Sequence, residues 1–193
     1  FYPAQGFCLE LVAGCLVDRF AARGIRVCWF ASANDTAPAD LGSRVTCIPV
    51  TSCNLVEKLT HLPYPIWSPG VIPTLWRSIG RADMVHIHEH LYTGSLLALA
   101  IGWLRRRPIV VTQHIGALPL GHPGVTRLFS LVTRLLGKVV FGMTVRSVFI
   151  SENVRRFFRR ENNPDSRLIF NGVDNDRFNL PPGNAKLAAR VAV

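Results

Sequence analysis

Short apolar runs alternate with segments of helical periodicity along almost the whole chain, and this alternation limits the fold more than any other feature. Leu9, Val12, Leu16 and Phe20 recur at helical spacing, and Gly24 stands where a helix C-cap is expected. Residues 25–31 and 45–50 read as short buried strands. Pro63, Pro65, Pro69 and Gly70 mark residues 63–70 as loop. A helix over 71–79, a strand over 84–88, a helix over 93–104 and a strand over 108–113 follow, the last with its proline at a tolerated first position. Next comes a long amphipathic helix. Val125, Leu128, Val132, Leu135, Leu136 and Val139 make its apolar stripe, with Arg127, Arg134 and Lys138 on the opposite side. Residues 148–150 read as a strand, Ser151 as the cap of another helix, 167–170 as a last strand and Asn171-Gly172 as a turn. The alternation predicts an α/β fold, a Rossmann-like parallel sheet with helices on both faces. Such a sheet binds its ligands beyond the carboxyl ends of its strands. The polar residues there are His88-Glu89-His90, Gln113-His114, Ser151-Glu152-Asn153 and Asn171.

Charge narrows the partners. The net charge of the 193 residues is +10, and residues 101–160 hold eleven basic side chains against the single acid Glu152, while the flanking stretches balance. Only Lys58, Lys138 and Lys186 are lysines, so the excess is arginine, whose planar fork suits phosphate and carboxylate. The basic helix and the run Val154-Arg155-Arg156-Phe157-Phe158-Arg159-Arg160 admit two readings. One is a surface with solvated arginines. The other is docking to an anionic membrane surface, where cations and aromatics act together. Nucleic-acid binding is not expected, because these phenylalanines fall at core-facing positions rather than forming a stacking platform. The apolar run 91–104 is too short for a span and ends in three arginines, so it reads as a buried helix. Cys8, Cys15, Cys28, Cys47 and Cys53 show no metal spacing and read as free buried thiols of a reducing, cytoplasmic setting.

His86, His88 and His90 stand at i, i+2 and i+4 and would share one face of a strand. Substrate contacts, structural hydrogen bonds and a metal site are the three possibilities for them. His114 leaves the apolar strand Ile109-Val110-Val111 directly ahead of Gly116, which puts a titratable ring at the ligand edge of the sheet. There is no Walker loop, no GxGxxG and no GxSxG elbow.

Four segments in order resemble family 4 glycosyltransferases of the GT-B type, specifically their N-terminal, acceptor-side domain. They are Phe1-Tyr2-Pro3-Ala4-Gln5-Gly6 with Glu10, Ala82-Asp83-Met84-Val85-His86-Ile87-His88, Val110-Val111-Thr112-Gln113-His114, and Phe149-Ile150-Ser151 followed by Ile169-Phe170-Asn171-Gly172-Val173-Asp174 and Phe178. Gly6 is followed by Phe7 where the family often has a second glycine.

The resemblance implies retaining transfer of a sugar from a nucleotide-sugar donor to a saccharide or lipid-linked acceptor. His114 is the catalytic candidate. Gly6, Phe7, His88, Glu89, His90, Tyr92, Thr112, Gln113, Ser151, Asn153 and Asn171 are the substrate-binding candidates, with the loop at Gly6 meeting the donor diphosphate and His88 to Tyr92 forming the acceptor wall. No metal and no cofactor is expected beyond the donor as co-substrate. Residues 1–180 would form the domain, its first strand missing, which would leave an apolar slot and unpaired strand edges. Residues 181–193 would lead to an absent C-terminal donor-binding domain, so that the chain alone would be inactive. The enzyme is expected in the cytoplasm, peripheral on the inner face of the membrane. The rival readings are a noncatalytic binding module left by truncation and another GT-B-like enzyme such as a nucleotide-sugar epimerase.

Overall fold

A computed structural model describes residues 8–32, 42–55, 64–159 and 165–172; side chains of 8–10 are not described. Helix α1 (Cys8–Ala22) leads through Gly24, which adopts φ +84 and ends the helix as only glycine does readily, into β1 (Val27–Ser32). The strand β2 (Val45–Val50) pairs with β1 in parallel, Val27 opposite Val45. The strands β3 (Ser52–Cys53) and β4 (Ile66–Trp67) form a small antiparallel pair. A 3-10 turn at Pro69–Val71 opens α2 (Ile72–Arg81). Then come β5 (Val85–His88), α3 (Thr93–Leu104), β6 (Ile109–Gln113), α4 (Pro123–Gly142), β7 (Arg146–Phe149), α5 (Glu152–Phe157) and β8 (Arg167–Leu168). Strands β5 to β8 form one parallel sheet in chain order. The fold is the expected Rossmann-like α/β class. The expected loop at 63–70 instead contributes β4, because Trp67 and Ile66 find Ser52 and Cys53 as ladder partners, a long-range pairing that local punctuation does not reveal.

The central strand β6 is the most deeply buried, with Ile109 and Val111 inaccessible to solvent. Against it lie Val85, Ile87, Leu99, Ile101 and the aromatic group Phe141, Phe149 and Phe158, each of these three fully buried. Phe141 meets Phe158 and Phe149 edge-on, at ring centroid distances of 5.2 and 5.5 Å. Gly137 permits this, because a Cβ there would stand 3.0 Å from the Phe158 ring. Gly94 is a second enforced glycine: a Cβ would stand 2.6 Å from the Trp67 indole, whose Nε1–H donates to Ser32 Oγ at 3.0 Å.

The helix α4 buries a different face from the one its apolar stripe suggests. Thr133, Gly137, Val140 and Phe141 point inward, while Val125, Leu128, Val132, Leu135 and Val139 are exposed and only Leu136 of the stripe is partly covered. The reason is shape: the aromatic group accepts a face carrying a glycine and a small polar residue, and a row of leucines would overpack it. The thiols also depart from expectation. Cys15 on α1 and Cys28 and Cys53 on β1 and β3 are exposed and Cys47 on β2 is half-buried, since of the described residues of α1 and β1 to β3 only Val50 is buried in the central core cluster.

Residues 28–32 of β1 and 84–88 at β5 line a cavity of about 250 Å³, together with Leu75, Ile79 and Ala98. Consecutive residues of both strands reach it, so it runs along strand edges rather than along one sheet face.

Candidate functional site

Because β5 to β8 are parallel, their carboxyl ends open on the same edge of the sheet, and most of the sequence-predicted residues gather there. His88 ends β5, Gln113 ends β6, Ser151 follows β7, and Asn171 follows β8. Gly6 and Phe7 lie outside the described residues.

Two different histidine environments sit side by side. His86 and His88 share one face of β5 with their rings 4.4 Å apart. His86 Nε2 lies 2.8 Å from Thr112 Oγ1, and His88 Nδ1 lies 3.1 Å from His114 Nε2. Burial pushes His86 down to about 4, helped by His114. Burial also pushes His88 down to about 3, with His86 and His114 adding to the effect. His114 is lowered by burial too, against the pull of the Glu89 carboxylate. At neutral pH the three rings are therefore uncharged, and within the His88–His114 pair one ring donates the single shared proton while the other accepts it. Of the three possibilities open to His86 by its spacing, the structure shows a hydrogen bond within the protein, to Thr112, and the two-residue offset from His88 places it in this file.

Glu89 then breaks the strand. Its φ of +66 is left-handed, and it turns His90 away from His86 and His88 into the aromatic group. The three histidines at i, i+2 and i+4 consequently do not converge, and no group of three metal-ligating side chains is assembled among the described residues. His90 Nδ1 lies 2.7 Å from Gln113 Oε1, and its Nε2 lies 3.1 Å from the Thr133 carbonyl. The Gln113 amide nitrogen donates to Glu89 Oε1 and to the Ile115 carbonyl, so its oxygen is the atom facing His90. A carbonyl oxygen only accepts, and His90 faces two of them, which calls for protons on both ring nitrogens. Burial alone would lower His90, but the Glu89 carboxylate, 3.4 Å away, together with Gln113 and Thr133, holds it above the usual histidine range.

Glu89 and His90, expected in the acceptor wall, lie behind the open edge in this structure. Each is 1% exposed, and their polar atoms are spent inside the protein. Glu89 Oε2 accepts the backbone N–H groups of Ile115 at 2.9 Å and His114 at 3.3 Å. The carboxylate thus fixes the turn that carries His114, and Gly116 of that turn lies against Val154 and Phe157. Thr112 and Gln113 are buried as well, the first against His86 and the second as the hub of the Glu89–His90 network. His88, Tyr92, His114, Ser151 and Asn171 are partly exposed and Asn153 is open to solvent. Ser151 caps α5 as expected, its Oγ accepting the Val154 N–H at 3.3 Å. Supporting residues not foreseen are Thr133, Ile115 and Ser95, whose hydroxyl donates to the His88 carbonyl at 3.4 Å.

The neutral file dictates how stability responds to acid. His86 and His88 bind protons more readily unfolded than folded, so their contribution is full above about pH 6.5 and is lost as pH falls toward 4 and below. His90 has the opposite sign, contributing below about pH 6.5 and losing that contribution as pH rises through its raised value. Urea melts between pH 6.5 and 5 should show stability falling with pH by up to about 1.4 kcal/mol per pH unit for each of His86 and His88, with His114 acting in the same direction. His88→Gln should reduce that slope by up to about 1.4 kcal/mol per pH unit, and an unchanged slope would remove His88 from the account.

Residues 9–177 match the profile of Glycosyltransferase Family 4. No curated protein sequence matches the chain. Among solved structures the chain is similar to the Anabaena protein Alr3699/HepE in complex with UDP and glucose, at 16% identity and a TM-score of 0.55, covering 99% of this chain and 48% of that one. It is likewise similar to the same protein in complex with UDP, at 13% identity and a TM-score of 0.50, covering 86% of this chain and 50% of that one. The chain therefore spans about half the length of that Anabaena protein.

Proposed function

The chain belongs to glycosyltransferase family 4, and from that premise we propose that it forms the acceptor-side half of a retaining transferase that moves a sugar from a nucleotide-sugar donor to a saccharide or lipid-linked acceptor. The observation that carries the reading is His114, a neutral, partly exposed imidazole just past β6, held from behind by Glu89 through the backbone of its own turn. A neutral ring fixed in this way offers a hydrogen bond to a sugar hydroxyl and meets developing positive charge at the anomeric carbon without repelling it. Its ring contact with His88 limits rotation about the side chain.

Substrates meet the site on the open edge of the sheet, where His88, Tyr92, His114, Ser151, Asn153 and Asn171 offer polar groups. Glu89, His90, Thr112 and Gln113 serve behind them as positioning residues. Departure of the nucleoside diphosphate needs cationic side chains and N–H donors. In this proposal a donor-binding domain beyond the described residues supplies most of them, and the isolated chain is inactive. That the chain covers about half of the similar Anabaena protein supports the division.

Because that Anabaena protein holds UDP and glucose, UDP-sugars are the first donors to test. The complete enzyme is incubated with UDP-glucose and a panel of saccharide and lipid-linked acceptors, and the product linkage is read by NMR. An α-linked product is the expected result. A β-linked product would exclude retention, and donor epimerisation without acceptor would place the enzyme in another class.

A further inference from the structure

The side of α4 turned away from the core carries an apolar surface that the proposed chemistry does not use. Val125, Leu128, Leu131, Val132, Leu135 and Val139 are between 44% and 63% exposed. At 100° per residue they fall within an arc of about 120° on a helix about 30 Å long. Arg127 and Lys138 are exposed along one flank of this arc, and Arg134 lies on the same flank with its guanidinium 5.8 Å over the Phe157 ring. That contact sets Phe157 of α5 beside the basic flank. The helix contains no acidic residue, and Glu152, the single acid of residues 101–160, is already paired with Arg155 at 2.9 Å and Arg156 at 3.2 Å. The phenylalanines of α5 are not part of the surface, since Phe158 is fully buried and Phe157 half-buried.

We infer that this face of α4 docks the protein on an anionic phospholipid surface. The apolar arc enters the headgroup–acyl boundary and the Arg127–Arg134–Lys138 flank meets the lipid phosphates. Charge decides between this occupant and a second copy of the chain. Residues 125, 128, 132, 135 and 139 follow the spacing of a coiled-coil seam, but two such seams would set cations against cations with no acid on the helix to relieve them. An anionic bilayer satisfies both the apolar arc and its uncompensated flank. The inference is independent of the reaction proposed above.

The test is flotation of the full chain with phosphatidylglycerol vesicles and with phosphatidylcholine vesicles, alongside light scattering in solution. Binding to the anionic vesicles is expected to exceed binding to the zwitterionic ones by at least about tenfold and to weaken with added salt. Leu128→Ser/Leu135→Ser and Arg127→Glu/Lys138→Glu should each lower it by about tenfold or more. Both pairs change exposed side chains, so unchanged circular dichroism and melting would show that folding is intact. Equal binding to both vesicles, binding that survives both variants, or no binding would overturn the inference. So would a dimer in solution that Leu128→Ser/Leu135→Ser dissociates while vesicles go unbound, which would assign the face to a second copy.

Discussion

His114→Ala in the complete enzyme lowers kcat by at least about 100-fold, the scale of losing one positioned polar group at a reacting centre, while KM for the donor changes little. The basis is local. His114 is held at its backbone by Glu89 and at its ring by His88, so it is set in place before any substrate arrives. Pre-set groups contribute to the transition state without a cost of reorganisation. Alanine leaves the Glu89 contact intact, because that bond uses the main chain, so the variant should melt close to the parent. Steady-state kinetics with a melting curve check this directly, and turnover equal to the parent's would remove His114 from the chemistry.

The largest effect on stability is expected from Glu89→Ala. The carboxylate accepts from Ile115 and His114 and from the Gln113 amide, and it balances the charge on His90. Deleting it strands a buried imidazolium and unpaired N–H groups, at a cost of about 3–5 kcal/mol. For a domain of this size that is a fall in Tm of roughly 6–20 °C. The left-handed φ of Glu89 adds nothing to the difference, since alanine is strained there as well. In the double variant Glu89→Gln/His90→Gln the loss should be smaller than the sum of the two single losses, because removing both partners leaves no charge without its counterpart. Thermal melting that finds Glu89→Ala within about 2 °C of the parent would contradict the network.

Much of this site was legible before the fold. Apolar runs ending in His88, Gln113-His114 and Ser151 placed polar residues at strand ends, and parallel pairing brought those ends to one edge. Adjacent residues nevertheless take opposite roles. His88 faces His114 at the site, whereas Glu89 and His90 are buried behind it. Spacing could not separate them, because one left-handed residue reverses the alternation that a strand would impose. Likewise the apolar stripe of α4 follows helical spacing yet remains outside, while Thr133 and Gly137 occupy the core side.

The sequence by itself determined the alternation of strands and helices, the α/β class and the strand ends at which polar groups gather, because each follows from local periodicity and turn chemistry. Tertiary structure alone decided which face of α4 is covered, which histidines are neutral and which is charged, and that Glu89 supports His114 from within. Those outcomes depend on contacts between distant segments: on whether a face fits the Phe141–Phe149–Phe158 group, and on which carbonyls and carboxylates a buried ring meets.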